Sequence, residues 1–175
     1  MQLEKNNIDK AFEYVNDIKS GKIISCKWVK LAIDRFLEDY HNGKDRGISF
    51  NSNYVELRLK AFNLMKIKKT VKVTSRTGDI IQRDEYHPFI LEPWQTFIVA
   101  SLYGFYKNGV RMFTSSIVCV ARKNGKTTFM AGLALVGLLF DNELNSEVYC
   151  VATKKDQAKI LFDEGKSIVL RSPDI

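Results

Sequence analysis

The order of apolar and polar segments predicts an α/β fold: the opening strands of a parallel sheet, preceded by a helical subdomain. Three observations carry this expectation. Residues 5–65 hold three stretches with apolar side chains at helical spacing. Residues 112–121 and 147–152 are short β-prone runs, and each is followed by a helical pattern. Strand, loop, buried helix, strand, helix is a βαβα unit, the kind that builds parallel sheets through right-handed crossovers.

Each element follows from its own residues. In residues 5–20, Ile8, Ala11, Phe12, Val15 and Ile18 share one helical face, and Ser20-Gly21 ends the run. A second helix over residues 27–41 places Val29, Ala32, Ile33, Phe36 and Tyr40 together before Asn42-Gly43 stops it. After a polar loop, Tyr54, Leu57, Ala61, Leu64 and Met65 mark a third. Residues 66–76 then carry Lys66, Lys68, Lys69, Lys72 and Arg76 with no acid, and a turn at 76–79 leads into Ile80-Ile81. This reads as a short hairpin with a basic outer face. The lysines suit either a solvated edge that discourages strand pairing or a patch that contacts phosphates.

Beyond residue 86 the pattern changes. Pro93 stands in the first turn of a helix, with Phe97, Ile98, Leu102 and Phe105 on one face. Residues 112–121 (MFTSSIVCVA) and 147–152 (EVYCVA) are the two expected strands, and residues 128–140 between them are apolar all round, as in a helix covered on both sides. The domain reading is residues 1–85 as a helical region with the basic hairpin, and 86–175 as the first part of the sheet domain.

Composition narrows the class. Of 175 residues, 45% are hydrophobic and 27% charged, ordinary values for a globular chain and wrong for a disordered or fibrous one. The longest apolar run, residues 129–140, is short of the roughly 18 residues of a membrane span. The first ten residues contain no apolar core of a secretory signal. Cys26, Cys119 and Cys150 form no CxxC pair, which suits a reducing compartment. The expectation is a soluble cytoplasmic protein with no membrane partner. The net charge of +7 is compatible with a polyanionic partner. His41 and His87 have no ligand partners at metal spacing.

The chemistry concentrates in Ala121-Arg122-Lys123-Asn124-Gly125-Lys126-Thr127-Thr128, a polar loop between an expected strand and an apolar helix. That is the setting of a phosphate-binding loop and makes the fold class a P-loop NTPase-type parallel sheet, here incomplete. Gly125 lets backbone N–H groups approach phosphate oxygens. The following helix start supplies free donors and the positive end of its dipole. Lys126 reaches the β- and γ-phosphates, and the Thr127 hydroxyl completes a Mg²⁺ shell. Arg122, Lys123, Asn124 and Thr128 complete the candidate nucleotide contacts. The full G-x-x-x-x-G-K-[ST] pattern would have glycine at position 120, where this chain has Val120.

These residues also carry a resemblance. VARKNGKTT, with Arg122 and Lys123 in place of loop glycines, resembles the deviant Walker A of the large terminase subunits of tailed bacteriophages. LEPWQ (Leu91 to Gln95), about 30 residues before Lys126, resembles that family's adenine-binding motif. VATKKDQA (Val151 to Ala158) is similar to its segment after the second ATPase strand, and GKIISCKWVKLAIDRFLEDY to the helical N-terminal region of one branch. The resemblance implies ATP-driven packaging of double-stranded viral DNA, with ATP and Mg²⁺ as cofactors. It implies portal protein and small terminase subunit as partners, a homo-oligomeric ring in the full-length protein, and a phage or prophage gene read in a bacterial cytoplasm. By its terms Lys126 and Thr127 contact phosphate and Mg²⁺, and Gln95 reads adenine. Arg122, with Lys126 a candidate catalytic residue, assists hydrolysis in cis. Trp94 either stacks near the base or anchors its helix to the core.

The chain also departs from the family pattern. No strand ending in Asp-Glu follows the loop, and Asp163-Glu164 sits in a helical context. The carboxylate cluster of the nuclease domain is absent from residues 1–175. The sequence therefore reads as the N-terminal ATPase portion of such a protein, hydrolytically incomplete as it stands. Two alternatives remain: part of another P-loop translocase or helicase, and a non-enzymatic DNA-binding or assembly module with a vestigial loop.

Overall fold

The structure, a computed structural model, describes residues 7–75, 78–141 and 144–175. In chain order the main elements are α1 (Asp9–Lys19), α2 (Lys27–Asn42), β1 (Ile48–Phe50), α3 (Ser52–Leu64), β2 (Lys66–Thr74), β3 (Ile80–Pro88), α4 (Pro93–Gly104), β4 (Phe105–Lys107), β5 (Val110–Arg111), α5 (Lys126–Phe140) and α6 (Lys155–Arg171). They form two compact units, residues 1–60 with 91–119 and residues 61–90 with 120–175.

The first unit contains α1, α2, β1, most of α3, α4, β4 and β5. Burial of one helical face builds its core: Ala11, Val15 and Ile18 from α1, Ile33 and Phe36 from α2, Val99 and Ala100 from α4. Phe36 sits at the centre, with ring centroids of Phe12, Phe50, Phe97 and Phe105 at 5.8, 5.9, 5.4 and 5.2 Å. Such edge-on aromatic contacts add to the area term of burial. β1, β4 and β5 form an antiparallel sheet in the order β1-β4-β5, with Phe50 opposite Phe105. Asn108 and Gly109, both at positive φ, make the tight turn between β4 and β5. The Asn51 side chain accepts the Tyr54 N–H at 3.2 Å and so caps α3.

Several core positions in α2 and α3 differ from the sequence expectation. Tyr40 is substantially exposed, and its neighbour Asp39 is buried instead. Arg46 at 3.0 Å and Arg35 at 3.7 Å pair with that carboxylate, which makes burial of a charge tolerable. In and just after α3 the expected Ala61 and Met65 are buried, but Tyr54, Leu57 and Leu64 are exposed, and Val55, Leu59 and Phe62 complete the buried face. Helical spacing alone fits either set, and the contacts made by the neighbouring segments select between them.

The second unit contains the hairpin of β2 and β3, then α5 and α6. The hairpin is antiparallel from Lys66 opposite Pro88 to Thr74 opposite Ile80. Phe62 lies against Phe89 and Phe129 at ring-centroid distances of 5.3 and 6.0 Å. Gly132 on α5 faces the same rings, and a Cβ there would lie 2.5 Å from Phe62 Cε1 and 3.0 Å from Phe89 Cε1. At the C-terminal end of α6, the buried Ser172 hydroxyl donates to the Ile168 carbonyl at 2.6 Å and accepts the Lys66 N–H at 2.7 Å.

The expected basic face of the hairpin is partly neutralised by its partner strand. Lys68 Nζ lies 2.6 Å from Asp84, whose carboxylate also accepts the Thr70 hydroxyl at 2.8 Å. Lys69 stands opposite Glu85, which also has His87 Nε2 at 3.3 Å. Arg76, and with it part of the expected turn, lies outside the described residues.

The fold is α/β, but the parallel sheet is not formed among the described residues. Residues 112–121 and 147–152, the two expected buried strands, are irregular. Ile117 is 96% exposed and Val151 91%. β propensity expresses how well a side chain fits a paired, half-buried surface. Among the described residues neither run is a strand of a sheet, and the first run's one backbone bond to a strand is from the Met112 N–H to the Phe105 carbonyl of β4 at 2.9 Å. The helix between them forms as expected, although Leu138 and Leu139 on it are exposed.

Candidate functional site

The loop before α5 takes its shape from two left-handed residues, Lys123 at φ 68° and Gly125 at φ 69°. Glycine reaches this conformation without strain, whereas lysine there is uncommon. Gly125 is the N-cap of α5, and its carbonyl accepts the Phe129 N–H at 2.9 Å. No side chain caps this helix start. The N–H groups of its first turn have no partner within the helix, and they carry the positive end of the dipole. Space beside Gly125 is open: a Cβ built there would meet nothing within 4 Å.

Arg122, Lys123, Asn124, Gly125, Lys126 and Thr127 are all exposed. Among the described residues no carboxylate pairs with Arg122, Lys123 or Lys126, so three cations stand unneutralised around one turn. Lys126 Nζ turns back to the Val120 carbonyl at 3.4 Å, and Asn124 Nδ2 donates to the Ala121 carbonyl at 3.3 Å. Thr128 differs from its neighbours. It is half-buried, and its hydroxyl donates to Glu164 Oε1 of α6 at 2.8 Å. This contact, 36 residues apart in sequence, is invisible to motif reading, which places Thr128 among the nucleotide contacts and gives Glu164 no part.

Gln95 lies in the first unit, at the third position of α4. It is 4% exposed and serves in a capping box: its Oε1 accepts the Glu92 N–H at 2.9 Å, and the Glu92 side chain accepts the Gln95 N–H. Glu92 followed three residues later by Gln95 is the sequence signal for that structural role. Trp94 is half-buried on the same turn.

Metal binding by protein groups alone has no support among the described residues, where no cluster of three His, Cys, Asp or Glu side chains is found. The Thr127 hydroxyl fits a Mg²⁺ that arrives with a nucleotide, since such ions take most of their ligands from phosphate and water. A concavity of about 470 Å³ is lined by Gly137, Asp141, Glu147 and Tyr149. It sits at the opposite end of α5, about 20 Å from the loop at 1.5 Å per helical residue, and so has no part in this site.

An uncapped helix start under a basic, glycine-containing loop is a setting for anionic phosphate. Residues 93–175 match the family model of the terminase large subunit, ATPase domain. Over that stretch, just under half of the chain, the protein is similar to the ATPase domain of terminase large subunits. No curated protein and no solved structure matches the chain. Residues 1–92, which include the basic hairpin, lie outside the matched range. No helix among the described residues is long and apolar enough to cross a membrane.

Proposed function

We propose that residues 121–128 bind the phosphates of Mg·ATP for a viral DNA-packaging motor. The observation that carries this reading is the start of α5: a left-handed Gly125, an uncapped first turn and three unpaired cations. Backbone N–H groups would receive phosphate oxygens. Lys126 would leave the Val120 carbonyl, a long contact at 3.4 Å, for a stronger anionic partner. Thr127 would hold the magnesium brought by the nucleotide, and the ion would supply charge neutralisation between phosphates. Arg122 and Lys123 would add positive charge at the loop, with Arg122 the candidate for assisting hydrolysis.

Turnover is a separate matter. Hydrolysis in this class needs a carboxylate to orient the attacking water, and Asp163 and Glu164 both lie on α6 rather than at a strand end. Residues 1–175 are therefore proposed to bind nucleotide and to turn it over at or near background. DNA, portal protein, small subunit and ring assembly are the partners proposed for the full-length protein. Gln95 is proposed as a base reader in its own right. With Oε1 committed to Glu92, its remaining amide hydrogens can donate to the purine N7, which adenine and guanine share.

Calorimetric titration with Mg·ATP tests the loop. Loss of the charge-assisted bonds of one ammonium costs roughly 1.5–3 kcal/mol, so Lys126→Ala should weaken binding by about 10- to 150-fold without lowering the melting temperature. Gln95→Ala should weaken ATP and GTP binding alike and by less. A folded Lys126→Ala protein that binds as well as wild type would remove the phosphate-loop reading and leave the vestigial-loop alternative.

A further inference from the structure

We infer that Glu164 is a positioning residue for the nucleotide loop, holding the first turn of α5 in register through the Thr128 hydroxyl. The inference rests on the phosphate-loop reading above.

The geometry is specific. Lys126, Thr127 and Thr128 open α5, yet only Thr128 turns from solvent, and its hydroxyl donates to Glu164 Oε1 at 2.8 Å. A hydroxyl–carboxylate hydrogen bond is charge-assisted and among the stronger polar contacts. The next residue, Phe129, is fully buried against Phe62, so the turn is pinned on both flanks. α6 is itself anchored at its other end. Ser172, 1% exposed, joins the Ile168 carbonyl to the Lys66 N–H, and Ile168 beside it is equally buried. Glu164 therefore reaches the loop helix from an element that cannot readily rotate. What it holds is the direction of the first-turn N–H groups, and phosphate binding depends on their converging. A shift of one ångström in such a constellation is costly even though Glu164 never touches the ligand.

A carboxylate beside a phosphate site also repels its ligand. If Glu164 were selected for charge, glutamine would fail in its place; as a hydrogen-bond acceptor, glutamine should serve.

The experiment titrates Mg·ATP into wild type, Thr128→Val, Glu164→Ala, the double variant, Glu164→Gln and Lys126→Ala, with thermal melts of each. Thr128→Val and Glu164→Ala should each weaken binding about fivefold, the affinity equivalent of one ordinary hydrogen bond. The double variant should be no weaker than either single one, because both remove the same contact. Glu164→Gln should bind within about twofold of wild type or more tightly, a rescue that a purely structural loss of stability would not produce. Additive losses, a Gln variant as weak as Ala, or wild-type affinity in both single variants while Lys126→Ala is impaired would each overturn the inference and leave the loop reading standing. Wild-type binding by folded Lys126→Ala would overturn the loop reading and the inference with it.

Discussion

The aromatic core of the first unit and residues 147–152 of the other unit are similarly apolar in sequence, yet the structure treats them oppositely. Phe36 is 3% exposed amid five aromatic neighbours, whereas Tyr149 is 77% exposed in an irregular stretch. The difference lies in what each element asks of its surroundings. An amphipathic helix satisfies most of its own backbone and needs cover on one face only. A buried parallel strand needs hydrogen-bonding neighbours along its edges and layers on both faces. Helices from residues 9–104 cover one another. The 147–152 run finds no strand to pair with among the described residues.

The largest expected effect would break this contrast if it failed. Phe36→Ala should destabilise the protein by about 3–5 kcal/mol, the usual cost of emptying a buried aromatic site. Tyr149→Ala should stay within about 0.5 kcal/mol, as for an exposed position. Urea unfolding followed by circular dichroism measures both. A loss at Tyr149 comparable with that at Phe36 would mean that the 147–152 segment is packed.

Glycines sharpen the comparison at the next level. Each unit seats one helical glycine against phenylalanine rings: Gly104 against Phe50, and Gly132 against Phe62 and Phe89. Gly104→Val and Gly132→Val should each cost about 1–3 kcal/mol through overpacking. Gly165 on α6 has nothing within 4 Å of a built Cβ. Gly165→Ala should instead stabilise by about 0.5–1 kcal/mol, by restricting the unfolded chain and favouring helix. Thermal melts of the three variants check the signs, and a stabilised Gly132→Val would show that the rings are free to move aside.

Much of the helical architecture is legible in the sequence because its signals are local. The stop at Asn42-Gly43, the proline opening α4 and the spacing of Ala11, Val15 and Ile18 need no distant partner to be read. The candidate phosphate loop is legible as Gly125-Lys126-Thr127 before an apolar helix, and it falls within the matched residues 93–175. What escapes is set by contacts across the chain. Asp39 is buried because Arg35 and Arg46 reach it. The Thr128 hydroxyl has a partner that motif reading misses because Glu164 stands on another helix. The basic hairpin is muted because β3 supplies Asp84 and Glu85, acids that the uninterrupted run of cations on β2 gives no reason to expect.

That last correction carries the smallest prediction. Asp84 is held below the usual carboxylate range, first by its hydrogen bond from Lys68 and then by that from Thr70. Lys68 is held above the usual lysine range, chiefly by the same bond. For Asp84 the lowered value means that its contribution is present above the ordinary carboxylate pKa and is lost as pH falls through the lowered one. For Lys68 the raised value means a contribution present below the ordinary lysine pKa and lost as pH rises through the raised one. The pair should therefore persist between those two ordinary values, a window that includes neutral pH. Both groups are solvent-exposed, so the effect on global stability should be slight. It should be visible locally: carbon-detected NMR titration of the Asp84 carboxyl should give a midpoint below that of an unpaired aspartate, and Lys68→Ala should raise it. An Asp84 midpoint unmoved by Lys68→Ala would free Lys68 for other anions and restore the uninterrupted basic face that the sequence suggests.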